Sequence, residues 1–156
     1  MALRVIDGGM VGAAGGTLTA FGGTISVAIP PGALPTATPI ALVRNLAPPA
    51  HAGLLAGSAF DVATPTTTFA APVTVTLRYV PTALPASASP LRFTVRRRGA
   101  TSWDALPGGQ LRLTPPTVSA TTTAGGTVAI VSPIVFDVST SGFENGVQGW
   151  TPSGNE

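Results

Sequence analysis

At 156 residues the chain is long enough to bury one hydrophobic core and too short for two. Charged side chains make up only 9% of it, the net charge is +2, and 19 glycines and 16 prolines punctuate it throughout, a balance that argues against a helical bundle. Six carboxylates, one histidine, no cysteine and no lysine leave few groups for acid–base, nucleophilic or metal chemistry, so the composition favours a scaffold or binding module over an enzyme.

The predicted elements are short. Residues 1–14 read as an N-terminal segment with a candidate edge strand at 3–6, and Arg4, Asp7 and two glycines stand where a signal peptide would carry its apolar stretch. Runs rich in Val, Ile, Leu, Thr and Phe then alternate with Gly and Pro at the spacing of an all-β sandwich or barrel. They predict strands at 17–20, 24–29, 39–44, 58–62, 73–79, 91–97, 110–113, 118–122 and 127–131, with 134–138 as a further candidate. The clearest is 73–79, where Val73, Val75, Leu77 and Tyr79 share one face and Thr74, Thr76 and Arg78 the other. Leu91, Phe93 and Val95 against Arg92, Thr94 and Arg96 repeat the device, so these two strands are expected to lay apolar faces on a shared core.

Gly22-Gly23 and Gly125-Gly126 read as tight hairpin turns, Pro30-Pro31-Gly32 and Pro48-Pro49 as rigid connections, and Pro115-Pro116 as the close of a strand. Pro and Gly interrupt every stretch of helical length, and 46–56 makes one turn at most. No apolar run reaches the length of a membrane span. Beyond Val138 the composition becomes that of a linker with two isolated aromatics. The compact domain is therefore expected to cover 15–138, and 139–156 to form a flexible tail.

Arg96, Arg97 and Arg98 are the one local concentration of charge. Such a run grips phosphate or carboxylate, but nucleic-acid binders spread a much broader cationic footprint, so no nucleic-acid partner is expected. The simpler reading is a solvated turn between two strands that keeps a poorly charged protein soluble. His51 follows Pro48-Pro49-Ala50 with no acid within metal-ligand spacing, as a loop histidine does. Asp7, Asp61, Asp104 and Asp137 are scattered singly, without the pairing that hydrolysis needs or the oxygen cluster that calcium needs. Gly8-Gly9-Met10-Val11-Gly12 lacks the dinucleotide-binding spacing, and a phosphate-binding loop would need a lysine. No catalytic residue, metal site or cofactor is predicted. Trp103, ahead of Asp104 and Leu106, fits a strand that buries its indole rather than a sugar-stacking platform. Phe143 and Trp150, aromatics in a polar tail, are the predicted contacts with a neighbouring domain or subunit, and the three arginines are further candidates.

Two longer stretches stand in a telling order. The first is Gly15-Gly16-Thr17-Leu18-Thr19 followed by Gly23-Thr24-Ile25-Ser26-Val27-Ala28-Ile29-Pro30-Pro31-Gly32-Ala33-Leu34. The second is Ala59-Phe60-Asp61-Val62 with Pro65-Thr66-Thr67-Thr68-Phe69 and Pro72-Val73-Thr74-Val75. With weaker matches at Trp103 before Leu106 and at Val131-Ser132-Pro133, residues 15–138 resemble the ZU5 domain in its bacterial surface-protein form. The resemblance implies a β-sandwich used as an interaction or structural module, in eukaryotic cytoskeletal adaptors and receptors and in bacterial multidomain exported proteins. Some eukaryotic members cleave themselves at a His-Phe-Ser motif. That motif falls on Ile130-Val131-Ser132, which keeps the hydroxyl but lacks the base and the aromatic, so autoproteolysis is not expected.

Gly142-Phe143-Glu144-Asn145-Gly146 and Gly149-Trp150 also resemble the first strand of jelly-roll carbohydrate-binding modules. The expectation is a single antiparallel β-sandwich, acting without catalysis as a structural or adhesive module of an extracellular bacterial surface protein or filament. It would self-associate or pack against other protein modules. The alternative, resting on Trp103 and Trp150, is a polysaccharide-binding module of a secreted protein.

Overall fold

Alternating apolar and hydroxyl-bearing residues sort the chain into two stacked layers. The structure is a computed structural model, and it describes residues 6–51, 53–55, 57–65, 68–84 and 88–132. Its strands are β1 (Ile6–Val11), β2 (Gly16–Ala20), β3 (Ile25–Ile29), β4 (Thr38–Arg44), β5 (Phe60–Ala63), β6 (Val73–Arg78), β7 (Thr94–Arg98), β8 (Trp103–Ala105), β9 (Gln110–Leu113), β10 (Pro116–Thr122) and β11 (Gly126–Val131). They form a six-stranded sheet in the order β1-β4-β5-β11-β7-β8 and a five-stranded sheet in the order β2-β3-β6-β10-β9. Every neighbouring pair is antiparallel. The all-β sandwich expected from the sequence is what the chain forms. Helical structure among the described residues is confined to three short 3-10 turns.

The core lies between the layers. Ile25, Val27, Val73, Val75 and Leu77 from one sheet meet Ile40, Leu42, Phe60, Val95 and Ile130 from the other, all of them buried in a single cluster. Strands 73–79 and 91–97 do share this core, as expected, through Val73, Val75, Leu77, Tyr79, Phe93 and Val95. Leu91 does not. It is 78% exposed, because Pro90–Arg92 is a 3-10 turn and β7 starts only at Thr94. Pro90 sets the turn: its ring fixes φ, and its carbonyl accepts from the Phe93 N–H at 3.0 Å.

Two further expectations are corrected. Gly125-Gly126 is not a hairpin turn, since β10 and β11 belong to different sheets and this segment carries the chain from one layer to the other. Arg96, Arg97 and Arg98 are not a turn either but the second half of β7. Gly22-Gly23 does sit in a hairpin, joining the paired β2 and β3 through a 3-10 turn that starts at Phe21. Phe21 itself has φ 56°, the left-handed region, at a cost of about 1–3 kcal/mol for a bulky side chain. Gly15, at φ 77°, has the only side-chain type that fits its turn, because a Cβ there would meet the Ile29 carbonyl. The candidate strand at 134–138 and most of the one at 3–6 lie outside the described residues.

The two outer faces differ. On the five-stranded sheet, Thr19, Ser26, Thr76, Ser119 and Gln110 face one another across all five strands, a polar row without a single charge. On the six-stranded sheet, the connection between β4 and β5 folds over the middle and buries Ala59, Trp103 and Ala129 beneath Leu54. Its backbone is tied to β11: Leu55 N–H donates to the Ile130 carbonyl at 2.9 Å, and Ser132 N–H to the Gly53 carbonyl at 2.7 Å. Ser58 Oγ donates to the Leu55 carbonyl at 2.7 Å and accepts from Ile130 N–H at 3.0 Å. Gly53 is required at that contact, since any Cβ would run into the Ser132 carbonyl.

Burial sets the cost of truncation. Leu77→Ala, at a fully buried site, is expected to cost about 2–5 kcal/mol, whereas Leu91→Ala should stay within about 0.5 kcal/mol of the parent. Urea unfolding with unchanged slope measures both, and equal losses would return Leu91 to the core.

Candidate interaction surface

The period of two along a strand decides where the arginine run goes. Arg97 lies opposite the buried Val128 and so faces the other layer, while Arg96 and Arg98 point to the outer face. Arg96 Nη1 donates to the Trp103 carbonyl at 3.3 Å, and Arg97 Nη1 to the Gly125 carbonyl at 3.4 Å. All three are half-buried, and they form no common patch. The other two sequence-predicted contact residues, Phe143 and Trp150, lie outside the described residues.

The remaining candidates take structural places. His51 Nδ1 accepts from Gly53 N–H at 3.0 Å, which makes it a turn-closing loop histidine. Asp61 Oδ1 accepts from Thr127 Oγ1 at 2.7 Å and from Asn45 Nδ2 at 3.0 Å, tying the start of the β4–β5 connection to the sheet. Asp104 accepts from Ser102 Oγ at 2.8 Å within the β7–β8 turn. Trp103 is 6% exposed and its Nε1–H donates to the Pro49 carbonyl at 3.2 Å, so the indole is buried as expected and offers no platform for a sugar. Ser132, the residue after β11, is also buried. Among the described residues, no three acidic or histidine side chains gather where a cation would be held, and no helix is long and apolar enough to cross a membrane.

A surface feature not foreseen from the sequence lies on the outer face of the six-stranded sheet, beside its edge strand β1. Gly8 pairs with Ala41 and Ala41 with Ala63, so three small residues in a row across β1, β4 and β5 leave a trough. Met10 and Pro39, paired with each other, wall it on one side, and Pro65 closes its end. The groove is shallow and open to solvent, with a volume of about 740 Å³, and Met10 is 63% exposed at its rim. Its lining residues include no charged side chain. Small outward residues in 6–11, 39–44 and 60–63 were visible in the sequence, but only the pairing of three non-consecutive strands places them side by side.

Neither a protein-family model nor a curated protein matches the chain. The resemblance to the ZU5 domain therefore rests on the residues quoted above.

Among the described residues, one ionisable group is displaced from its ordinary behaviour. Tyr79, 4% exposed and packed edge-on against Phe93 at 5.1 Å between ring centroids, has its hydroxyl pKa pushed up by burial. A pKa higher in the folded than in the unfolded state means stability that is present below pH ~10 and lost as pH rises through the folded value. Because this is the only tyrosine in the chain, phenolate absorbance reads it directly. The titration midpoint is expected above that of the urea-unfolded chain, with stability declining as the hydroxyl ionises; coincident midpoints would place the hydroxyl in water.

Proposed function

We propose that the chain is a non-catalytic structural or adhesive module that works by packing against a second copy of itself or a neighbouring module at a bacterial cell surface. The observation that carries this reading is the uncharged groove beside β1, rimmed by an exposed methionine and two prolines on the edge of a sheet. Edge strands with apolar flanks are the places where sheets accept partners, and natural proteins normally blunt them with charge. Here that protection is thin: with a net charge of +2, two copies repel each other weakly. The similarity of residues 15–138 to the ZU5 domain supports the extracellular, multidomain setting. Trp103, buried under the β4–β5 connection, lends the polysaccharide reading no support.

The groove floor gives the test. Ala41→Glu places a charge on a half-buried outward position without touching the core. Light scattering over a concentration series is expected to show association of the parent chain, weakened at least about tenfold in the variant, since an unpaired carboxylate in an apolar contact costs more than 1.4 kcal/mol. A parent chain that stays monomeric throughout, or a variant that associates equally well, would overturn the reading.

A further inference from the structure

At the end of the sandwich where β4 and β6 finish, the inward row Thr38, Ile40 and Leu42 continues not with another apolar residue but with Arg44. Its guanidinium lies 5.1 Å from the ring centroid of Phe60, its cross-strand neighbour, and 5.2 Å from that of Phe21, which arrives from the opposite sheet. The left-handed backbone of Phe21 is what brings the second ring into place. Strain of that kind persists where the surroundings over-determine it, and it gathers at ligand clamps. The two ring centroids are themselves 5.4 Å apart, so both rings lie toward one side of the guanidinium rather than clasping it between them. The Arg44 side chain makes no hydrogen bond or ion pair to any described residue.

Arg44 lines a pocket of about 290 Å³ shared with Arg78, whose side chain is likewise without a hydrogen-bonding or ionic partner among the described residues. Tyr79 lines it too, nine-tenths buried and with a hydroxyl that makes no hydrogen bond to a described residue. Leu55, Val80 and Leu84 supply an apolar wall. Two guanidiniums with no anionic or carbonyl partner among the described residues, one half-buried and one exposed, thus border a partly apolar hollow. We propose that this pocket is a receptor for a carboxylate carried on an apolar stem. A planar carboxylate matches the guanidinium fork, and its stem fits the aliphatic wall; a phosphate, more strongly hydrated and more highly charged, would leave oxygens against that wall.

Two sources present such a group. One is a separate molecule. The other is the chain itself: all eight arginines precede residue 133, whereas Asp137, Glu144 and Glu156 follow it. The described chain leaves the sheet at Ser132, just after Ile130, whose carbonyl is bonded by the pocket residue Leu55.

Sodium butyrate is the probe, added to the full chain while the arginine Nε–H resonances are followed by NMR. If a separate molecule is the ligand, butyrate shifts the Arg44 and Arg78 signals and leaves Arg96, Arg97 and Arg98 in place. The chain carrying D137N, E144Q and E156Q then binds it equally. If the chain's own acids fill the pocket, butyrate moves those signals only in the triple variant. In whichever chain binds butyrate, Arg78→Gln, an exposed change that spares the core, should weaken that binding roughly tenfold, the loss of one charge-assisted contact. Unmoved Arg44 and Arg78 signals in both chains, or inorganic phosphate displacing butyrate at equal concentration, would overturn the proposal.

Discussion

Side chains on a strand alternate sides, so Val73, Val75 and Leu77 can enter the interior only if Thr74, Thr76 and Arg78 remain outside. A slip of one residue in any pairing would exchange the two sets, putting hydroxyls into the dry layer and valines into water. At about 25 cal/mol per Å² of apolar surface removed from water, the correct register wins decisively. The interior thus dictates the pairings, and the pairings dictate what appears on the surface. Gly8, Ala41 and Ala63 line up across β1, β4 and β5 because their inward neighbours were fixed first.

The same constraint explains how a chain with so few charges keeps its outer faces wetted or covered. The five-stranded sheet presents hydroxyls and an amide across its middle and the guanidiniums of Arg78 and Arg112 on either side of Thr117 at one end. The middle of the six-stranded sheet has the outward residues Ala59, Ala129 and Trp103, and there the chain covers itself with the β4–β5 connection, pinned by Ser58, Asp61 and Gly53. Neither device reaches the β1 side of that sheet, so small and apolar residues remain at the surface.

Much of this was legible in the sequence because period-two patterning is a local signal. Strands 73–79, 110–113 and 127–131 were read nearly as they stand, and the indole of Trp103 was expected inside. The failures share one physical origin. Leu91 fits the alternation of Phe93 and Val95, yet Pro90 turns the backbone out of line before it. Gly125-Gly126 looks like any tight turn, and nothing local says whether the chain returns beside β10 or crosses to the other layer. Arg96, Arg97 and Arg98 seemed a cluster because adjacency in sequence was taken for adjacency in space, whereas a strand sends neighbours to opposite sides. The arginine pocket was invisible for the converse reason: Phe21, Arg44, Phe60 and Arg78 come from four separate segments, and each taken alone is an ordinary residue.

β4 joins the two surfaces to which function is assigned, with Pro39 and Ala41 in the groove and Arg44 in the pocket. Five residues of extended backbone separate Pro39 from Arg44, roughly 17 Å. The strand between them is held on both sides, by β1 and by β5, and Leu42 is locked in the core. A strand so clamped has one packing, not two, and without a second arrangement there is nothing for one site to bias in the other. Substitutions in the groove and in the pocket should therefore add: Ala41→Glu is expected to leave butyrate binding unchanged within about 0.5 kcal/mol, and Arg78→Gln to leave association equally untouched. A larger interaction energy in the double variant, measured by the same NMR and scattering readouts, would mean that β4 moves as a unit and that the two surfaces form one site.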